Sequence, residues 1–392
     1  MNEKKMKRFL APTLALVLLL GIFAGLYIYA GRETEEEIIS SPESYAEYET
    51  GTVLQILTDS CEQDEVSQGA YRGEQQLMVE ITSGQYKGKT LLVLNAVGPM
   101  YGEPAKVGQS IVVTVNTYAS GDISATVYEY NRMPMVFLIL GLFVLTAVLV
   151  GGKTGAKSIL GLVLTVVMLL FVFLPLLLKG WEPVTTAFFL CSLVAIACFV
   201  ILGGCSKKIA CACIGTVAGM AFAMLFGFLA QKLLHLDGLR ATDAEALLQL
   251  RQTGSPVQIR GLLIAGVIIS SLGAVMDVSM SVSSALAELK AVNPGLGPGA
   301  LWKSGMNIGR DMVGTMTNTL ILAILGSSTV LILYLSSLNL SWNQFMSSSF
   351  LGIEIISSVS SGIGVILAVP LTTAVCAWIY GARTKPEGNE QN

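Results

Sequence analysis

The chain has 392 residues, 53% of them hydrophobic and 13% charged, with a formal net charge of −3. An ordinary soluble domain carries about 25% charged residues, so this composition belongs to a membrane protein. No long basic face is available to neutralise phosphates, which excludes a nucleic-acid partner.

A membrane-spanning helix needs roughly 20 mostly apolar residues. That criterion predicts eight spans, at about 9–30, 133–151, 159–178, 184–203, 209–231, 259–278, 310–335 and 357–380. The first is read as a retained anchor (1–30) in preference to a cleaved signal peptide with MNEKKMKR as its basic region, because Phe9 to Ala30 is longer than the roughly 7–15 apolar residues of a signal peptide. With the N-terminus inside, cytoplasmic segments hold thirteen Lys and Arg and the short outer loops five. The positive-inside rule then places both termini in the cytoplasm of a bacterial plasma membrane. The lipid bilayer is thus the first partner.

Residues 31–49 are acidic and Ser/Thr-rich, and read as a solvated spacer. From Thr50 the pattern turns to short alternating runs: GTVLQIL, QQLMVEIT, KTLLVLN, QSIVVTVNTY and ISATVYEY. Gly-containing turn segments separate them. Residues 50–131 are therefore expected to form a small all-β extracytoplasmic domain, an OB-like barrel or a sandwich. A seven-helix transmembrane domain (132–382) and a cytoplasmic tail (383–392) follow. The fold class is a polytopic α-helical membrane protein with a β-rich outer domain.

Chemistry concentrates between Gly261 and Thr319. The sixth span presents Ser270, Gly273, Asp277, Ser281, Ser284 and Glu288 on one helical stripe and is expected to continue to about Lys290. The loop AVNPGLGPGALWKSG breaks it. The next helix presents Asn307, Asp311, Gly314, Thr315 and Asn318, with Arg310 beside them. Ionisable groups inside hydrocarbon are costly and point by default to a functional site. Two readings remain open. In one, Asp277 and Asp311 form a proton or cation site tuned by Arg310, and Thr315, Thr317, Asn318 and Thr319 continue a path inward. In the other, Asp277–Arg310 is a structural ion pair and the amides and hydroxyls join helices. The polar stripes also leave room for a second membrane subunit or a homo-oligomer.

Other candidates are weaker. Gly151-Gly152-Lys153-Thr154 lacks the earlier glycine of a P-loop and follows a membrane helix instead of a strand. Cys205, Cys211 and Cys213 lie at spacings of six and two with no histidine near, and read as packing residues. His235 is the sole histidine. No nucleophile–base pair, cofactor motif or metal set is expected, and the chain reads as a non-enzyme.

The segments GAVMDVSMSVSSALAEL and SGMNIGRDMVGTMTNTLILA, with the order anchor, β domain and helical core, resemble the YibE/F-like family of bacterial multi-pass membrane proteins. The resemblance implies architecture and location but no substrate. A weaker similarity, to half of a resistance-nodulation-division transporter, supports proton coupling at Asp277, although the seven spans after the outer domain exceed the five of such a half. The expected function is an ion-gradient-driven permease or translocation-associated subunit of unknown substrate. The alternative is a non-transporting assembly or signalling component whose outer domain binds a partner.

Overall fold

The computed structural model describes residues 21–29, 44–118, 122–236, 244–252 and 254–381. Most of the N-terminal anchor, residues 31–43 of the spacer and the tail lie outside the described residues. The chain divides into two compact units, residues 35–150 and residues 1–34 with 151–392.

The first unit is a β-barrel followed by a helix. Its strands are β1 (Ser44–Asp59), β2 (Glu62–Asp64), β3 (Ala70–Ile81), β4 (Thr90–Val97), β5 (Ser110–Tyr118) and β6 (Ile123–Tyr130). β1 pairs antiparallel with both β3 and β5, and the ring closes through β4 and β6, which run parallel at Val93↔Ala125 and Leu94↔Thr126. One closed ring of five strands with β2 appended to β3 is a small Greek-key barrel of the OB type. One strand can serve two neighbours because register shifts at Val53/Gln55 and Ile56/Thr58 bend β1 midway. The period-2 pattern buries Leu77, Val79 and Ile81 from β3 against Ile111, Val113 and Val115 from β5.

One boundary is corrected. β1 begins at Ser44, inside the stretch read as spacer, and Ser44–Thr52 pairs with Tyr118–Ser110. Glu49 is buried there, and its carboxylate accepts the Ser83 hydroxyl at 2.5 Å. The acidic composition hid a strand whose charges are held by partners.

Helical structure outside the barrel begins with α1 (residues 21–29). A 46-residue helical run, α2 (Met133–Leu178), contains a break at Gly152 and a π-helical turn at Leu169–Phe173. Gly152 has φ +55° and ψ −135°, a conformation open in practice to glycine alone. Then come α3 (Pro183–Gly203), α4 (Lys207–Leu233), α5 (Ala244–Gln252), α6 (Leu262–Val292), α7 (Pro298–Ser327), α8 (Thr329–Ser337), α9 (Trp342–Met346) and α10 (Ser349–Gly381).

Among the described residues five helices are long and apolar enough to cross a membrane, or six if α7 and α8, bent by 56°, make one span. The expectation of eight is not met by this count. Most of the anchor lies outside the described residues, and the predicted spans 133–151 and 159–178 form one helical run. The helix after the sixth span also starts earlier than expected. Pro298 occupies its first turn behind Gly297, where proline's missing N–H costs nothing, so Ala300–Ser304 are helical and the loop is shorter.

Small residues set the packing of the membrane unit. α10 runs antiparallel to α4 and to α7, and parallel to α6. A Cβ on Gly215 would lie 1.9 Å from the Thr372 hydroxyl, and one on Gly309 would lie 2.1 Å from a Val369 methyl. Backbones therefore touch, as helices in lipid do when packing replaces the hydrophobic drive. Hydroxyls bridge the same interfaces: Ser270 to Ser361 at 2.9 Å, Thr372 to Ser279 at 3.2 Å, and Ser283 to the Lys208 carbonyl at 2.6 Å.

Candidate functional site

The α6 stripe forms as its spacing requires. Ser270, Gly273, Asp277, Ser281 and Glu288 are exposed and Ser284 is half-buried. The opposite face of α6 buries Ile268, Leu272, Val275, Val282 and Leu286 in the bundle. On α7, Leu301, Gly305 and Gly309 are buried, whereas Asn307, Arg310, Asp311, Gly314, Thr315 and Asn318 are all exposed. The α7 stripe and the Gly273, Asp277, Ser281 and Glu288 part of the α6 stripe therefore look away from the chain's own helices, whereas Ser270 at the start of the α6 stripe bonds Ser361 of α10. The small and apolar faces are the ones used for packing.

Asp277 and Arg310 are not brought together. Among the described residues the ion pairs are Arg72–Asp64 and Arg132–Glu129, and no hydrogen bond or ion pair engages the side chains of Asp277, Asn307, Arg310, Asp311 or Asn318. The helices do meet, antiparallel, where Leu286 packs against Gly305. From that contact Asp277 lies nine residues along α6 and Arg310 five along α7, about 13 Å and about 8 Å of axial rise. The expected common depth is off by roughly one turn. The Thr315 and Thr319 hydroxyls turn back onto their own helix, donating to the Met312 carbonyl at 3.1 Å and the Thr315 carbonyl at 2.8 Å.

Sequence reasoning missed two features. First, the hydroxyls of Thr216, Ser360 and Thr373 are buried in the bundle with no partner among the described residues, as is that of Thr317, which the sequence places on the predicted path. Only the SSVSSGIG segment hinted at this polar interior. Second, the barrel has a cleft of about 810 Å³ lined by Asp59, Tyr71, Tyr101, Glu103, Lys106 and Arg132 among others. Its wall is pinned by buried Gln75, whose Oε1 accepts the Ala105 N–H at 2.7 Å and the Asn95 amide at 3.0 Å. The Gln75 amide donates to Asp59 at 2.9 Å. The Cys61 backbone N–H, and after it Gln75, hold the Asp59 carboxyl below its ordinary value. Burial first, and then Asp59, push the Cys61 thiol up to about 11, which favours the thiol over the thiolate at neutral pH. No three His, Cys, Asp or Glu side chains group as a metal site among the described residues.

Long apolar helices packed through glycine and hydroxyl contacts, with an OB-type barrel, define a polytopic helical membrane protein. The family model described as YibE/F-like protein matches residues 139–382, more than half of the chain. The chain belongs to the YibE/F-like family, and the match covers both polar stripes. No curated protein and no solved structure matches the chain significantly.

Proposed function

We propose that the chain is the membrane subunit of an ion-gradient-driven permease or translocation system. The observation that carries this reading is the outward placement of the polar stripes. An Asp or Arg at the centre of a bilayer costs about 2.5–3.5 kcal/mol even on the mildest scale. Asp277, Arg310 and Asp311 have no partner within the described chain to offset that cost. Their stripes therefore face water or another protein surface, not lipid. Asp277 is the coupling carboxylate in this reading, and Ser270, Gly273 and Ser281 line its route along α6. The chain carries out no chemical reaction.

The proposed topology has eight spans in the bacterial plasma membrane, both termini in the cytoplasm, and residues 31–131 outside. Supporting it, the 46 residues of α2 measure about 69 Å at ~1.5 Å each, roughly twice a ~30 Å hydrocarbon core. The break at Gly152 sits beside Lys153 and Lys157, where a cytoplasmic turn between two spans would fall.

Cysteine scanning tests the route. With Cys61, Cys205 and Cys213 replaced, Gly273→Cys and Ser281→Cys should react with an impermeant maleimide, as should Glu288→Cys at the helix end. Labelling of Glu288→Cys alone would show a dry stripe and end the pathway reading. Asp277→Asn should then abolish proton movement in energised vesicles.

The barrel cleft favours a second reading, a non-transporting assembly component whose outer domain holds a partner. Under it, Tyr101→Ala would abolish partner capture and Asp277→Asn would change nothing.

A further inference from the structure

We infer that the exposed face of α7 is a seam for a second copy of this chain, aligned in parallel about a two-fold axis normal to the membrane. The inference shares the α7 stripe with the permease reading but does not depend on transport.

The exposed residues Asn307, Asp311, Gly314, Asn318 and Leu325 recur at steps of four, three, four and seven. That is the 3.5-residue repeat of a two-helix seam. The residues α7 packs inward, Leu301, Gly305 and Gly309, lie on the other side of the helix, so the seam is free while the bundle stays intact. A Cβ on Gly314 would meet nothing within 4 Å, which leaves the middle of the seam open to a close-approaching backbone.

Charge decides the occupant. In a parallel pair, a core-position side chain enters a hole formed by four residues of the facing helix, including its own counterpart and the residue before it. Asp311 would thus enter the hole bounded by Asn307, Arg310, Asp311 and Gly314 of the second copy. Two-fold symmetry repeats each contact, so the facing Asp311 carboxylates are each flanked by Arg310 of the other copy, and two anions and two cations balance in one layer. One layer further, Asn318 meets Asn318, an amide pair that fixes register in such seams. The α6 stripe cannot do this: its ionisable groups, Asp277 and Glu288, are both acidic. A second copy would set carboxylates against each other there with no cation on the stripe to balance them. The α7 face complements itself, and the α6 face does not.

The experiment uses the full chain in native membranes, with the accessible cysteines Cys61, Cys205 and Cys213 replaced and the buried ones kept. Copper-phenanthroline oxidation should link Asn318→Cys and Leu325→Cys into disulfide dimers. Ala323→Cys, which is exposed but off the seam, should stay monomeric. Arg310→Asp or Asp311→Arg alone should lower the linked fraction about tenfold, and the double variant should restore it because the swapped pair is again complementary. That restoration also separates a lost pair from a lost fold. Equal linking at all three positions, a monomeric mass in nanodiscs, or a different chain held stoichiometrically at Asn318 would overturn the inference. Seam dimers whose α6 cysteines stay dry would remove the permease reading and leave the seam. Labelled α6 cysteines in a monomer would do the reverse.

Discussion

The barrel and the membrane helices treat polar groups in opposite ways. In the barrel, Gln75 and Asn95 are almost fully buried and bonded to each other, to Ala105 and to Asp59. In the membrane unit Asp277, Arg310 and Asp311 stand exposed with no partner among the described residues, while small residues and hydroxyls fill the interior. Water would solvate the barrel's polar groups in the unfolded chain, so folding replaces most of those bonds with internal ones and leaves the Asn95 Oδ1 without a partner among the described residues. Lipid offers no such alternative. A charge left on a membrane helix surface marks a place where something other than lipid belongs.

The comparison breaks most strongly at the glycine contacts. Gly309→Leu would force a side chain into the space held by Val369, 2.1 Å from where its Cβ would begin. We expect a loss of about 3 kcal/mol, the upper range for overpacking, read as a large drop in melting temperature in detergent. Gly314→Leu on the open face of the same helix should leave the monomer's melting unchanged. Equal losses would mean that α7 is packed on both faces.

Next in size is the barrel network. Gln75→Leu keeps the volume but strands the Ala105 N–H and the Asn95 amide, for an expected loss of about 2–3 kcal/mol. Unfolding of the full chain followed by tyrosine fluorescence from the barrel would measure it. A neutral result would mean that water replaces the Gln75 amide, and the contrast between the two regions would weaken.

How much of this was legible beforehand depends on what each residue needed. The alternating strands were, because period-2 burial is written in the order of residues. β1 from Ser44 to Thr50 was not: its acidic residues read as solvated until pairing with β5 and the Ser83 hydroxyl gave them a place. The stripes of α6 and α7 were legible as stripes, since helical spacing fixes which residues share a face. Their direction was not, because a polar stripe on a membrane helix can face inward or a partner, and Gly305 and Gly309 decided the matter by packing against Thr373 and Val369. The depth of Asp277 relative to Arg310 was not legible either, because it depends on which residues of the two helices touch, and Leu286 against Gly305 sets that.

A smaller effect lies at the N-terminal end of α3. Glu182 caps that helix, accepting the Val184 N–H at 3.1 Å and the Thr185 N–H at 2.7 Å. Burial alone would raise its carboxyl, but the bonds from Thr185 and Val184 outweigh it and hold the group below its ordinary 4.5. A depressed folded-state value means the cap's contribution is full above pH 4.5 and fades as pH falls through the lower folded value. Glu182→Ala should cost about 1 kcal/mol at pH 7, and the difference from the parent should shrink below pH 4. A difference independent of pH would assign the cost to lost packing instead.

The smallest expected effect is the most informative. Asp277 touches no partner within the described chain, so Asp277→Asn should move stability by less than about 0.5 kcal/mol, as a surface change does. A structural ion pair would behave otherwise, because removing one partner of a buried pair costs about 3–5 kcal/mol. Melting in detergent and in lipid distinguishes the two, and each outcome has a distinct meaning for the protein. An unchanged melting temperature together with lost proton movement places the carboxylate in the route. A collapse of several kcal/mol, rescued by removing the Arg310 charge as well, would show that the two helices close on each other in the membrane.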